Sequence, residues 1–588
     1  MLRALILSAL VPPAAIALAG GADLDLPLGM RVSWYDAAPA VLALVTTLAS
    51  AALGSAGPRP RAALELAGLA ANAAAAVVLW SGGIYAPWFH ATDALRPALA
   101  GAVFVTGAAL PWGGRHELRL RDALRALPWL AFGLVLLGVA VGTDRTLLSR
   151  ALPASAPAGS GRDAIVLLID TLRADALGAY GANPSPTPWL DDLARRSAVF
   201  ERTFAQAPWT FPAVASLMTS LYPSSLALPV SLDAVDANTP SLDPSAPRLA
   251  EHLRGRGWHT AALYKNPMLA RGAGLDQGFD LFEAVGGDEA EGRSAGQLVD
   301  ATLVWARALA ERRRESATAP FLLYLHFMDP HTDYDPPDEF WPPEALAYEG
   351  PVDGSAKSLH RLVRSGEPLP AEDVAQLRRL YRADVAYLDT ELRRLGGELA
   401  KLGVWTEDTC VVVTADHGEQ FAEHGEYEHG DVHVENLHIP LLVHGCGVAP
   451  RRIPAVVRQI DITPTLLELV GAPALPGAEG RSLGPLLRGE ALPALPAFTE
   501  HGVRARVTGD RLSLVVEGDR TELFDLTTDP GEERDLAPSR PGDAAALAAL
   551  LDAHRARPRA AVAPARPPAR EVDPAVREAL RALGYLDE

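Results

Sequence analysis

Apolar and polar positions alternate along this chain in two different styles, and the change falls near residue 150. Long apolar runs fill about 3–22, 38–56, 62–80, 97–112 and 127–143. Most are close to the roughly 20 residues that a helix needs to cross a bilayer core. From residue 163 onward the apolar runs become short, β-branched and bounded by turn residues: DAIVLLID at 163–170, then 259–264, PFLLYLHF at 320–327, 408–415 and 439–444. Between them lie helical patterns. The clearest covers 371–402, where Val374, Leu377, Tyr381, Val385, Leu388, Leu392, Leu395 and Leu399 recur at three and four. Short buried strands alternating with helices predict a mostly parallel sheet covered on both faces, an α/β doubly wound domain.

Charge placement orients the first part. Arg59 and Arg61 follow the second run, and Arg115, Arg119, Arg121 and Arg125 follow the fourth. The other connections carry Asp23, Asp25, Asp36 and Asp93, with Trp80, Tyr85 and Trp88 at an edge. The positive-inside bias therefore predicts a multi-pass bundle in the cell membrane, with Arg3 cytoplasmic and the chain after residue 145 periplasmic or extracellular. Arg3, the first apolar run and the small residues around Ala17-Leu18-Ala19 also fit a cleavable signal. Cleavage leaves the orientation unchanged. The predicted organisation is a membrane bundle at 1–145, a Pro/Ala/Gly/Ser-rich tether at 146–161, a catalytic domain at 162–540 with a small C-terminal subdomain, and a helical or flexible tail at 541–588.

Composition narrows the function. The net charge of −19 over 588 residues, with no basic stripe to offset it, excludes a nucleic-acid partner. Two cysteines, Cys410 and Cys446, make no disulfide framework and are read as buried small hydrophobes. Ligands of doubly wound sheets sit beyond the carboxyl ends of strands. Asp170, His331, Asp416 and His417 all fall at or just past such ends.

Ordered segments across 163–535 carry a family resemblance: IDTLRADALGAYG, TPWLDDLARRSAVFERTFAQAPWTFP, GFD at 278–280, MDPH at 328–331, TADHGEQFAEHGEYEHG, IDITPTLLELVG and ELFDLTTDPGEERDL. In order and spacing they resemble the sulfatase branch of the alkaline phosphatase superfamily. The resemblance implies a sulfatase-like α/β sheet domain and a metal-dependent enzyme acting on phosphate or sulfate esters. It implies Asp170, Asp416 and His417 as metal ligands, with Thr210 completing the shell, and His331, Lys265, His424 and His429 at the reacting group. The metal would be one divalent cation, Mn, Zn, Mg or Ca; His433 and its neighbours leave a second open.

The chain departs from the family at the nucleophile. Where sulfatases show C-x-P-S-R with a residue oxidised to formylglycine, this sequence reads Thr210-Phe211-Pro212-Ala213-Val214, and Thr171 stands in place of a second aspartate. Threonine hydroxyls are weak nucleophiles that a bound cation activates. The substitution resembles phosphoryl-transferring relatives, among them phosphoethanolamine transferases and lipoteichoic acid synthases, which also place about five spans before an external domain. Three functions stay open: a phosphoester hydrolase or transferase acting through Thr210 on a substrate that is free or lipid- or glycan-linked, a sulfuric ester hydrolase without formylglycine, and a decayed membrane-tethered binding protein.

Overall fold

The computed structural model describes residues 161–228, 241–285, 295–315, 319–364 and 367–557, with two short antiparallel strands, Leu24–Leu26 and Met30–Val32, in the N-terminal part. The five apolar runs read as spans, and the tail beyond 557, lie outside the described residues. Among the described residues no helix is long and apolar enough to cross a membrane. The chain divides into two compact units, Met1–Leu148 and Ser149–Glu588.

The second unit is built on an eight-stranded sheet. In chain order the strands are β1 (Ala164–Ile169), β2 (Ala198–Phe204), β3 (His259–Tyr264), β4 (Leu281–Ala284), β5 (Phe321–Phe327), β6 (Cys410–Ala415), β7 (His438–His444) and β8 (Arg451–Arg458). They lie in the order β8-β2-β7-β6-β1-β5-β3-β4, and only β7 runs antiparallel to its neighbours. β1 is buried at every position because both faces are covered. Its alternate residues divide accordingly: Ile165, Leu167 and Ile169 join one core layer, and Ala164, Val166 and Leu168 the other.

The first layer is closed by α4 (Ala295–Glu315) and α5 (Ala371–Lys401), the second by α2 (Thr210–Thr219), α3 (Leu249–Arg254) and α6 (Ile462–Val470). A further helix, α1 (Pro188–Arg195), packs in the first layer. α5 buries the predicted stripe from Leu377 to Leu399, with Val374 only half-buried. A second sheet of four antiparallel strands, β9 (Ala497–His501), β10 (Arg504–Thr508), β11 (Leu512–Glu517) and β12 (Arg520–Asp525), forms the small subdomain. The helix α7 (Pro541–Ala556) packs on it through Leu551. Cys410 and Cys446 are both free and buried.

Register places the site. Ile169 of β1 pairs with Ala415 of β6 on one side and Phe327 of β5 on the other. The next residues along, Asp170 and Asp416, therefore emerge side by side at the carboxyl edge of the sheet centre.

Candidate active site

Asp170, Asp416 and His417 meet with ligand atoms all within 4.8 Å of one another, and each is 0% exposed. Three acceptors converge there. His417 Nδ1 donates to the Gly418 carbonyl at 3.0 Å, so its Nε2 carries a free lone pair. That Nε2 lies 3.7 Å from Asp170 Oδ1 and 3.5 Å from Asp416 Oδ2. Both carboxylate oxygens are buried and make no hydrogen bond. Orphaned buried acceptors facing one another are costly unless a cation lies among them. Electrostatics point the same way. Burial, and then the charge of Asp170, pushes the Asp416 carboxyl well above the usual range. Burial, and then His429, pushes His417 down towards its neutral, ligating form. The residues present thus fit a divalent metal, and the imidazole in an otherwise oxygen-donor set suits Mn²⁺ or Zn²⁺ better than Ca²⁺.

The remaining oxygen of Asp170 is held from behind. Oδ2 accepts from His326 Nε2 at 3.0 Å and from Asn266 Nδ2 at 2.5 Å. His326 Nδ1 in turn accepts the Tyr324 hydroxyl at 3.1 Å. Burial opposes ionisation of Asp170, yet the His326 hydrogen bond and the nearby histidines outweigh it, and the carboxyl is held below its ordinary range. Neither Asn266 nor His326 stood among the sequence candidates. His326 carried a signal all the same: it is a lone imidazole inside an apolar strand that a parallel sheet buries on both faces.

Thr210 is the first residue of α2; the N-cap is Trp209, extended at φ −156° and without a side-chain cap bond. Thr210 Oγ1 lies 3.5 Å from His417 Nε2 and accepts from Asn266 Nδ2 at 3.4 Å. The hydroxyl is therefore oriented by Asn266 and faces the metal-ligand trio. All of α2 is buried, and Thr210 stands at its N-terminus, the helix end whose dipole favours an oxyanion. Thr171 has φ 52°, a conformation that strains a β-branched residue. Its N–H donates to Asp416 Oδ1 at 3.3 Å, and its carbonyl accepts the Tyr381 hydroxyl of α5 at 2.9 Å. The residue that replaces the second aspartate thus contributes backbone, not carboxylate.

Two other candidates border the trio. The His429 ring lies 4.6 Å from His417 and 5.0 Å from His331, centroid to centroid. His429 Nδ1 donates to Glu419 Oε1 at 3.2 Å, and the Tyr334 hydroxyl donates to Glu419 Oε2 at 3.0 Å. Burial alone would lower the His429 pKa, but the Glu419 charge outweighs it and the net shift is upward. His331 is buried, its Nδ1 donating to the Thr332 carbonyl.

Two candidates have other partners. Lys265 Nζ donates to Gln297 Oε1 on α4 at 2.5 Å, and the side chain from that loop which reaches Thr210 is its neighbour Asn266. His424 sits against Glu435 and His433, outside the trio. Gly418 explains how the loop turns at the site: a Cβ there would meet the Glu435 carbonyl at 2.0 Å, so only glycine allows this approach.

A family model described as "Sulfatase" matches residues 162–472. This chain belongs to the sulfatase family. It is 26% identical to the choline-sulfatase of Rhizobium meliloti (strain 1021) over 452 residues, 66% of this chain and 85% of that protein. It is also 26% identical to arylsulfatase K of Rattus norvegicus, covering 40% of this chain and 49% of the relative. Among solved structures, the phosphonate monoester hydrolase of Agrobacterium radiobacter superposes with a TM-score of 0.53 at 22% identity, over 67% of this chain and 95% of that one, a likeness of fold. Family membership makes the chain an enzyme acting on ester bonds, and a metal-dependent one.

Proposed function

We propose that this sulfatase-family enzyme is membrane-anchored, that its catalytic domain lies on the outer side of the membrane, and that it hydrolyses or transfers a phosphoester through a covalent intermediate on Thr210. The observation that carries the reading is the position of Thr210 Oγ1, at the head of a buried helix, oriented by Asn266 and facing the Asp170/Asp416/His417 trio. The anchor rests on the apolar runs and charge bias of residues 1–145.

Asp170 Oδ1, Asp416 Oδ2 and His417 Nε2 would hold the cation, which when bound lowers the pKa of the Thr210 hydroxyl and offsets charge on the phosphoryl oxygens. With that pKa lowered the Thr210 proton is released to solvent before the ester binds; the Oγ1 alkoxide attacks phosphorus in line, the P–Oγ1 bond forms, the ester P–O bond breaks, and the alkoxide is regenerated when the acceptor displaces it. His429, held protonated by Glu419, gives its proton to the departing oxygen. In the second half the same imidazole, now neutral, takes the proton of the incoming hydroxyl as that oxygen displaces Thr210. Water as acceptor makes a hydrolase. A lipid or glycan hydroxyl at the membrane surface makes a transferase.

Sulfate esters are the second reading, favoured by the relatives named choline-sulfatase and arylsulfatase K. Phosphate monoester, phosphodiester and aryl sulfate should be offered in parallel to the metal-loaded wild type and to Thr210→Ala. The proposal expects phosphoester turnover that Thr210→Ala abolishes while metal binding persists, with phosphate found on Thr210 by mass spectrometry of a stalled reaction. Turnover of aryl sulfate alone would replace it with the second reading.

A further inference from the structure

The segment between β6 and β7 holds a second cluster of metal-type ligands that the reaction does not use. His424 and His433 stack with ring centroids 3.8 Å apart and 9° between planes, and a donor atom of each lies within 4.8 Å of a carboxylate oxygen of Glu532. Glu435 Oε2 is 3.4 Å from His424 Nε2, and Glu522 Oε2 is 3.8 Å from His433 Nε2. His424, Glu435, Glu522 and Glu532 line a cavity of about 470 Å³.

Three features distinguish this cluster from a solvated acidic patch. His433 Nδ1 donates to Asp431 Oδ2, which turns its Nε2 lone pair outward; a carboxylate behind an imidazole is how metal-binding histidines are commonly oriented. Glu435 is 8% exposed, lines the cavity, and its Oε2 is buried without a hydrogen-bond partner. The His424 imidazole faces that oxygen, and an acceptor so buried is costly unless His424 or a cation meets it. The other carboxylates are fixed in place by arginines: Arg506 forks onto Glu532 at 2.6 and 2.8 Å, and Arg520 holds Glu522 at 2.6 Å.

We propose that His424, His433, Glu435 and Glu532 bind a second divalent cation, separate from the one at Thr210. Two imidazoles with two carboxylates make a nitrogen–oxygen set of four protein ligands that fits Zn²⁺ well, and four protein ligands are characteristic of structural sites. The cation would tie two elements that no disulfide joins: the loop from β6 to β7, which also carries His417, Glu419 and His429, and the C-terminal sheet with its following turn, which carry Glu522 and Glu532. The site goes beyond the phosphoester reading and does not depend on it.

The test uses the full-length chain stripped by chelator and titrated with Zn²⁺, counting bound metal by mass spectrometry of the desalted protein. The Asp416→Asn variant disables the trio. It should keep about one equivalent of zinc and a zinc-dependent rise in melting temperature, and both should vanish when His433→Gln or Glu435→Gln is added in that background. Glu435→Gln guards against a folding defect, since it keeps the side-chain volume. Absence of stoichiometric zinc on folded Asp416→Asn, or its full retention in the folded Asp416→Asn/Glu435→Gln/His433→Gln chain, would overturn the proposal.

Discussion

Asn266→Ala is the most searching perturbation of the catalytic arrangement. Asn266 Nδ2 donates to Asp170 Oδ2 at 2.5 Å and to Thr210 Oγ1 at 3.4 Å, while its Oδ1 accepts the Met268 N–H at 2.8 Å. Truncation therefore removes a donor to a buried carboxylate, frees the Thr210 hydroxyl and uncaps the short turn Pro267–Leu269. A hydrogen bond to a charged group contributes about 1.5–3 kcal/mol. If that energy is felt in the transition state, kcat/KM on the working ester substrate should fall roughly tenfold to a hundredfold, since about 1.4 kcal/mol is one decade. The cap adds about 1 kcal/mol of lost stability. Asn266→Asp separates the two effects: it keeps an acceptor for Met268 but loses both donors and sets a carboxylate against Asp170. Steady-state kinetics and metal titration on folded protein decide. The reasoning fails if Asn266→Ala or Asn266→Asp, shown to be folded, keeps kcat/KM within about twofold of wild type.

Other expectations concern stability. Asp389 accepts the N–H groups of Trp189 and Leu190 at the start of α1, and burial raises its pKa to about 6. Because the folded pKa exceeds the unfolded one, its contribution is full below about pH 4 and is lost as pH rises through 6. Urea denaturation followed by tryptophan fluorescence should show stability dropping by up to roughly 3 kcal/mol more in wild type than in Asp389→Asn between those limits. Arg506 and Glu532 are both 0% exposed and paired bidentately, so Arg506→Leu alone should cost about 3–5 kcal/mol, whereas Arg506→Leu with Glu532→Leu should recover much of it in the same assay. Gly418→Ala drives a methyl against the Glu435 carbonyl and should lower the melting temperature and activity together, at a cost of at least 1–3 kcal/mol from about the overpacking range.

The strands that the hydrophobic pattern revealed are those buried on both faces, and their observed bounds differ from the expected ones by no more than two residues at either end. Those it passed over are mixed or marginal. β2 carries half-buried Glu201 and Arg202 in its middle, where they pair with Arg452 and Asp510. β8 is an edge strand that tolerates Pro454, a residue the pattern counts against a strand. The trio and Thr210 were legible because motif spacing marks strand ends. Asn266 was not, and His326 showed only as an imidazole out of place in an apolar strand, since both roles arise only when β1, β3 and β5 align. Family analogy singled out Lys265, and the structure adds its neighbour Asn266 as a side chain that reaches Asp170 and Thr210. His424 shares a motif with His429, yet the two rings join different clusters, and the backbone is left-handed at His424 and again at Glu428.

The register that pairs Ile169 with Ala415 also sets when the site can exist. The N–H of Thr171 and the carboxylate of Asp416 are joined across 245 positions of sequence. During synthesis β1 emerges early, and half of its metal site is still unmade until β6 follows and pairs with it. Long-range pairing of this kind is slow, because the loop-closure entropy is spent before the contacts form. An N-terminal fragment ending before residue 410 holds one carboxylate of the pair and none of the imidazole. A cation held by Asp170, Asp416 and His417 would therefore belong to the finished sheet and could not serve as its nucleus, which makes activity a late reporter of folding.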